Sequence, residues 1–163
     1  LVEYINSKFK RAFIGSDIIA GFPDETKDDF EITAENLRKL ELSRIHVFPY
    51  SRRKGTIADT MPNQIDNTEK KKRAAIIQEI SDKKINDFFK KNIKTENEVI
   101  IERKRDSKTG LLKGVTKNYI NVLIDADDRY KDSIQKIIIK DFAPVKEKMI
   151  AEIIRDLYTG LAK

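Results

Sequence analysis

The chain has 163 residues, with 33 Lys and Arg against 27 Asp and Glu, a formal net charge of +6 and no cysteine. Without thiols these residues can build neither disulfides nor zinc fingers nor an iron–sulfur centre. No uninterrupted apolar run approaches the roughly 20 residues of a membrane span, and no basic-then-apolar leader opens the sequence. A cytoplasmic protein with no membrane partner is expected. The length suits one domain or two small ones, and the opening Leu1 in place of methionine leads us to expect a fragment or processed product. The positive balance is spread along the chain, so it fits either an anionic partner or a solvated surface.

Residues 1–10 carry Val2, Ile5 and Phe9 at spacings of three and four, which predicts a helix with one buried face. Ile14, Ile18, Ile19 and Ala20 then form a near-continuous apolar run, as in a parallel strand covered on both faces. Gly21, Pro23 and Asp24 supply turn chemistry, and Thr26 with Asp29 forms a capping box for a helix over residues 27–40. Residues 45–49 predict a second short strand ending at Pro49. Two strands joined by a crossover helix imply parallel pairing. Ligands of such units bind beyond the carboxyl ends of the strands, which makes residues 21–25 a candidate site.

Residues 50–63 show neither period and predict a loop. Asp66 with Glu69 opens a long helix to about residue 91, whose buried side is marked by Ile77, Ile80, Ile85 and Phe88. Lys70, Lys71, Lys72 and Arg73 fall in its first turns, where the helix dipole disfavours cations. They form either a solvated face relieved by Glu69 or a contact to RNA phosphates.

Beyond Asn92 short β-rich runs over residues 99–102, 115–116, 119–124 and 134–139 alternate with turn signals, which predicts a small antiparallel barrel. A domain boundary over residues 90–97 follows. From Val145 the spacing of Met149, Ile150, Ile153, Ile154 and Leu157 leans to a helix, although residues 149–153 would also serve as a closing strand.

The chemistry-bearing residues keep alternatives open at this level. Asp17 inside an apolar strand needs either a backbone hydrogen bond or a ligand. Glu25 lies at the mouth of the same turn or supports the helix behind it. His46, the only histidine, is either a satisfied core residue or a catalyst. Tyr50, Ser51 and Arg53 follow the second strand with Gly55, where a carboxylate or phosphate could be held, yet the spacing is no Walker motif. Arg103, Lys104, Arg105, Lys113, Lys117, Asn118 and Tyr119 mix cations with an aromatic on predicted hairpins. That mixture suits an RNA-tracking groove or an edge protected by lysines.

The order Ser16-Asp17-Ile18-Ile19-Ala20-Gly21-Phe22-Pro23-Asp24-Glu25-Thr26, then His46-Val47-Phe48-Pro49-Tyr50-Ser51, then Arg53 and Gly55-Thr56, resembles the radical S-adenosylmethionine methylthiotransferases. The resemblance implies an α/β part, the late portion of a partial (β/α) barrel over residues 1–65, then a connecting helix over 66–92. An all-β, OB-like TRAM barrel that binds RNA would occupy residues 93–163. It places Asp17, Ile19, Gly21, Phe22, Glu25, Tyr50, Ser51 and Arg53 around bound S-adenosylmethionine. It gives the tRNA grip to the cationic residues named above, and it turns residues 149–153 into the last barrel strand. Ser16 stands where the family has threonine, Asp24 where it has glycine, and Arg52 and Lys54 where it has prolines. The family's 4Fe-4S clusters need cysteines absent here. The resemblance therefore implies a C-terminal half that has no catalytic or metal-ligating residue of its own, is inactive alone, and depends on the N-terminal half of the polypeptide and an electron donor. Within the family the threonylcarbamoyl-adenosine branch fits best, ahead of the isopentenyl-adenosine and ribosomal-protein branches. A stand-alone RNA-binding module on an α/β scaffold is the competing expectation.

Overall fold

The computed structural model describes residues 1–154. The chain forms two compact units, one spanning Leu1–Phe88 and the other beginning at Phe89.

The first unit opens with helix α1 (Val2–Lys8), of which no residue is fully buried. Phe9, expected on its buried face, is 65% exposed. Strands β1 (Gly15–Ala20) and β2 (Arg44–Pro49) pair in parallel, with Asp17 beside His46 and Ile19 beside Phe48. Helix α2 (Lys27–Lys39) makes the crossover. Its start is the expected capping box: Thr26 Oγ1 accepts from Asp29 N at 3.1 Å, and Asp29 Oδ2 accepts from Thr26 N at 3.0 Å. After a single-turn helix α3 (Ile57–Thr60), within the stretch expected to be loop, the long helix α4 (Asn67–Asn92) begins. Asp66 caps it by accepting from the amides of Thr68 and Glu69.

The core of this unit is Ala20, Phe30, Ala34, Leu37, Leu42, Ile45, Ile77 and Ile80, so both helices lie against one face of the two strands. Full burial of a side chain such as Ile45 or Ile77 contributes about 1.5–3 kcal/mol. Ser81 of α4 covers the backbone of β2, donating to Ile45 O at 2.8 Å and accepting from Ile45 N at 3.0 Å. The expectation of a strand covered on both faces fails within this chain. Ile18 and Ala20 turn to the core, while Asp17 and Ile19 alternate to an open face. Period-two geometry, and not the run of apolar letters, decides this.

The second unit is a closed barrel in the order β3-β4-β5-β7-β6. Its strands are β3 (Glu96–Ile101), β4 (Leu112–Thr116), β5 (Asn121–Ile124), β6 (Ile134–Phe142) and β7 (Met149–Ile153). Neighbours are antiparallel except β5 and β7, which run parallel. Val99, Ile101, Leu112, Val122, Ile124, Ile137, Ile139, Met149 and Ala151 are buried within it. The fold is thus an α/β part followed by an all-β, OB-like barrel. The helical leaning of the tail is corrected: Met149–Ile153 is a strand bonded to both β5 and β6. Closure of the barrel satisfies backbone groups that helical spacing cannot register. Leu157 and the end of the expected 93–163 segment lie outside the described residues.

Candidate functional site

The carboxyl ends of β1 and β2 meet the start of α4. Gly21 takes φ +76°, and a Cβ there would stand 2.6 Å from Lys70 Cγ, so this position has to be glycine for the lysine stem to pass. Asp24, where the resemblance leads one to expect glycine, also lies in the left-handed region at φ +66°. Its Oδ1 accepts from Asn63 Nδ2 at 2.8 Å, a bond from 39 residues further along the chain that helps hold a non-glycine residue in this conformation.

Glu25 braces the turn. Its Oε2 accepts from Gly21 N at 2.9 Å and from Arg73 Nη1 at 2.6 Å, and Arg73 Nη1 also donates to Glu25 O. Arg73 Nε donates to Glu69 Oε1 at 2.9 Å. Burial opposes the charge on Arg73, but its hydrogen bonds to Glu25 and Glu69 prevail and hold its pKa above that of an ordinary arginine. Neither sequence reading of Glu25 included this partnership with α4. Its signals were an arginine in a helix turn that disfavours cations and the place of Arg73 seven residues before Ile80, on the buried face of the helix.

The sequence treated residues 70–73 as one cationic face, and the structure divides them. Lys71 and Lys72 are exposed, whereas Lys70 and Arg73 are buried at 7% and 6% exposure. Lys70 Nζ lies 5.1 Å from the centre of the Tyr50 ring, which packs edge-on against Phe22 at 5.3 Å. The Tyr50 hydroxyl is buried without a hydrogen-bond partner. Ser51 and Arg53 are exposed. Arg52 is held by Asp59 at 2.7 Å.

Asp17 is not the buried acid expected from its apolar neighbours. It stands exposed next to exposed His46, which is therefore no core histidine. Ile19 and Phe48, side by side, are 55% and 51% exposed. This open face offers an apolar platform with a carboxylate and an imidazole at one end.

On the barrel, Arg103 and Lys104 are exposed. Arg105 is committed to the fold, donating to Asp128 Oδ1, Gly110 O and Ala126 O. Lys113 pairs with Glu102 at 2.6 Å and Lys117 with Glu98. Asn118 accepts from Thr116 Oγ1 and donates to Asn92 Oδ1, so it shapes the hairpin. Tyr119 at that hairpin's tip has φ +60° and is 71% exposed. Among the described residues no cluster of His, Asp or Glu has the arrangement of a metal site.

A parallel β-α-β unit with an open strand-end face, followed by a small cation-bearing barrel, defines an α/β scaffold with an OB-like barrel behind it. No family model matches the chain. Curated proteins do. The chain is 40% identical over 111 residues to the threonylcarbamoyladenosine tRNA methylthiotransferase MtaB of Rickettsia prowazekii, covering 68% of this chain and 24% of that protein. It is 31% identical over 160 residues to MtaB of Bacillus subtilis, covering 94% and 36%. It is also 39% identical over 92 residues to the tRNA-2-methylthio-N(6)-dimethylallyladenosine synthase of Malacoplasma penetrans, covering 56% and 18%. The chain belongs to the tRNA methylthiotransferase family, and it spans about a quarter to a third of the length of the MtaB relatives it matches.

Proposed function

We propose that this chain is part of a tRNA methylthiotransferase that adds a 2-methylthio group to N6-threonylcarbamoyl-adenosine next to the anticodon. The observation that carries the reading is the similarity to MtaB proteins, which extends through both units. Matches to dimethylallyladenosine synthases favour that substrate as the second reading.

The residues present suit S-adenosylmethionine. Ile19 and Phe48 give a platform for a purine, Asp17 and His46 give polar partners at its end, and Tyr50 leaves a buried hydroxyl unpaired. Bound there, S-adenosylmethionine would supply the radical that activates the carbon. The chain's own work is to bind and orient. Glu25 and Arg73 fix the turn carrying Gly21 and Phe22, and α4 fixes Tyr50. The residues do not suit an iron–sulfur cluster, because there is no thiolate to ligate one. Cluster ligation and electron delivery then fall to the N-terminal half and an external donor, and the chain alone is inactive.

The barrel is read as a TRAM-like RNA-binding domain that grips tRNA, with Arg103, Lys104, Lys117 and Tyr119 as its accessible contacts, in a cytoplasmic enzyme. Mass spectrometry of tRNA nucleosides from a strain lacking the gene tests the whole reading. Loss of the 2-methylthio group from threonylcarbamoyl-adenosine alone is expected. Loss from isopentenyl-adenosine alone assigns the second reading, and loss from neither returns the chain to a stand-alone RNA-binding module.

A further inference from the structure

At the strand ends one buried donor, the Tyr50 hydroxyl, is left without an acceptor, and a lysine without a carboxylate partner stands beside it. Lys70 sits in the first turn of α4, at the wrong end of the helix dipole for a cation, and is only 7% exposed. No carboxylate among the described residues pairs with it. Glu25 and Glu69 both go to Arg73, one turn further along. The Lys70 ammonium instead lies over the Tyr50 ring. The Tyr50 hydroxyl is the single buried side-chain polar atom without a partner among the described residues. The placement is built in, because Gly21 leaves the space that the Lys70 stem fills.

A buried hydroxyl is costly unless an acceptor reaches it, and an ammonium on a largely buried lysine with no carboxylate partner is free to hold an anion. We propose that Lys70 and Tyr50 receive the carboxylate of an amino-acid-bearing ligand. Two donors match the two oxygens of a carboxylate. A phosphate would call on further amides, and three of those nearby, of Gly21, Thr68 and Glu69, are already used. Asp66 takes the amides of Thr68 and Glu69, and Glu25 takes that of Gly21. The inference rests on the functional reading above, which supplies two such carboxylates: the methionyl group of S-adenosylmethionine and the threonyl group of the modified adenosine.

Titration calorimetry on the full chain decides it, with S-adenosylmethionine, the threonylcarbamoyl-adenosine nucleoside, adenosine and inorganic phosphate as probes. Tyr50→Phe, which keeps the ring and its packing, is expected to weaken the carboxylate ligand about fivefold, and Lys70→Met about tenfold or more. Adenosine should bind both variants as it binds the parent. The carboxylate ligand whose affinity falls in both variants is the one the site receives. If Tyr50→Phe binds both carboxylate ligands as tightly as the parent, or if phosphate outcompetes both, the proposal is overturned. Failure of the functional reading is seen separately: an unchanged tRNA nucleoside profile in the deletion strain removes that reading whatever these titrations give.

Discussion

Arg73 donates to Glu25 Oε2 at 2.6 Å across 48 residues of sequence, and this pair ties the turn after β1 to the first turns of α4. Side-chain exposures of 7% and 15% place the pair largely out of water. Breaking such a pair leaves an uncompensated charge, so Arg73→Met should cost about 3–5 kcal/mol. Glu25→Gln keeps an acceptor and should cost less. Urea unfolding followed in the first unit measures both, and equal costs would mean that packing, not the charge pair, holds the turn.

Gly114 of β4 sits opposite Ile101, and a Cβ there would lie 2.5 Å from Ile100 O. The obstacle is backbone, so the sheet itself would have to move. Gly114→Ala should therefore lower barrel stability by about 1–3 kcal/mol. Gly110 is the control. It has φ +71° but nothing within 4 Å of an added Cβ, so Gly110→Ala carries only conformational strain of about 1 kcal/mol. Thermal melts should rank the two in that order.

Capping and strand–turn–helix order were legible because they are local: Thr26 with Asp29 and Asp66 with Glu69 act within four residues of chain. Residues 149–153 were not, since their strand depends on edges of β5 and β6 that only the closed barrel presents. Lys70 and Arg73 looked alike to their neighbours Lys71 and Lys72. Which of the four turn inward was written in the helical spacing, because Lys70 and Arg73 stand seven residues before the buried Ile77 and Ile80, whereas the groups they meet there, Gly21, Glu25 and Tyr50, were not legible. Asp17 was misplaced for a related reason. Its apolar neighbours suggested burial on both sides, whereas one face of β1 is open.

Asp106 connects pH to the barrel. Its Oδ2 accepts from Lys148, and its Oδ1 accepts from Thr109 Oγ1 and from the amides of Lys108 and Thr109. The bond from Lys148, then that from Thr109, hold its pKa well below the ordinary 3.8. A depressed folded-state value means the stabilisation is present above the unfolded value and is lost as pH falls below it toward the folded one. Asp106→Asn should be less stable than the parent at pH 7, with the gap closing below about pH 4. Denaturation midpoints across pH 2–7 check this, and a constant gap would place the effect in packing.

The last prediction separates cations that face solvent from cations that hold the fold. Arg103 and Lys104 are exposed, while Arg105 donates to Asp128 and to two carbonyl oxygens. If the barrel grips tRNA, removing a cation that neutralises one phosphate should flatten the slope of log K against log salt by roughly 0.7–0.9. The Arg103→Ala and Lys104→Ala double variant removes two cations, so it should flatten the slope by about twice that and melt like the parent. Arg105→Ala should do the reverse, lowering the melting temperature and leaving the slope unchanged well below it. Titrations of tRNA at several salt concentrations give the slopes. An unchanged slope in the double variant would move the RNA-binding surface to the exposed pair Lys71 and Lys72. A flattened slope in Arg105→Ala with an unchanged melt would mean that its guanidinium leaves Asp128 for the RNA.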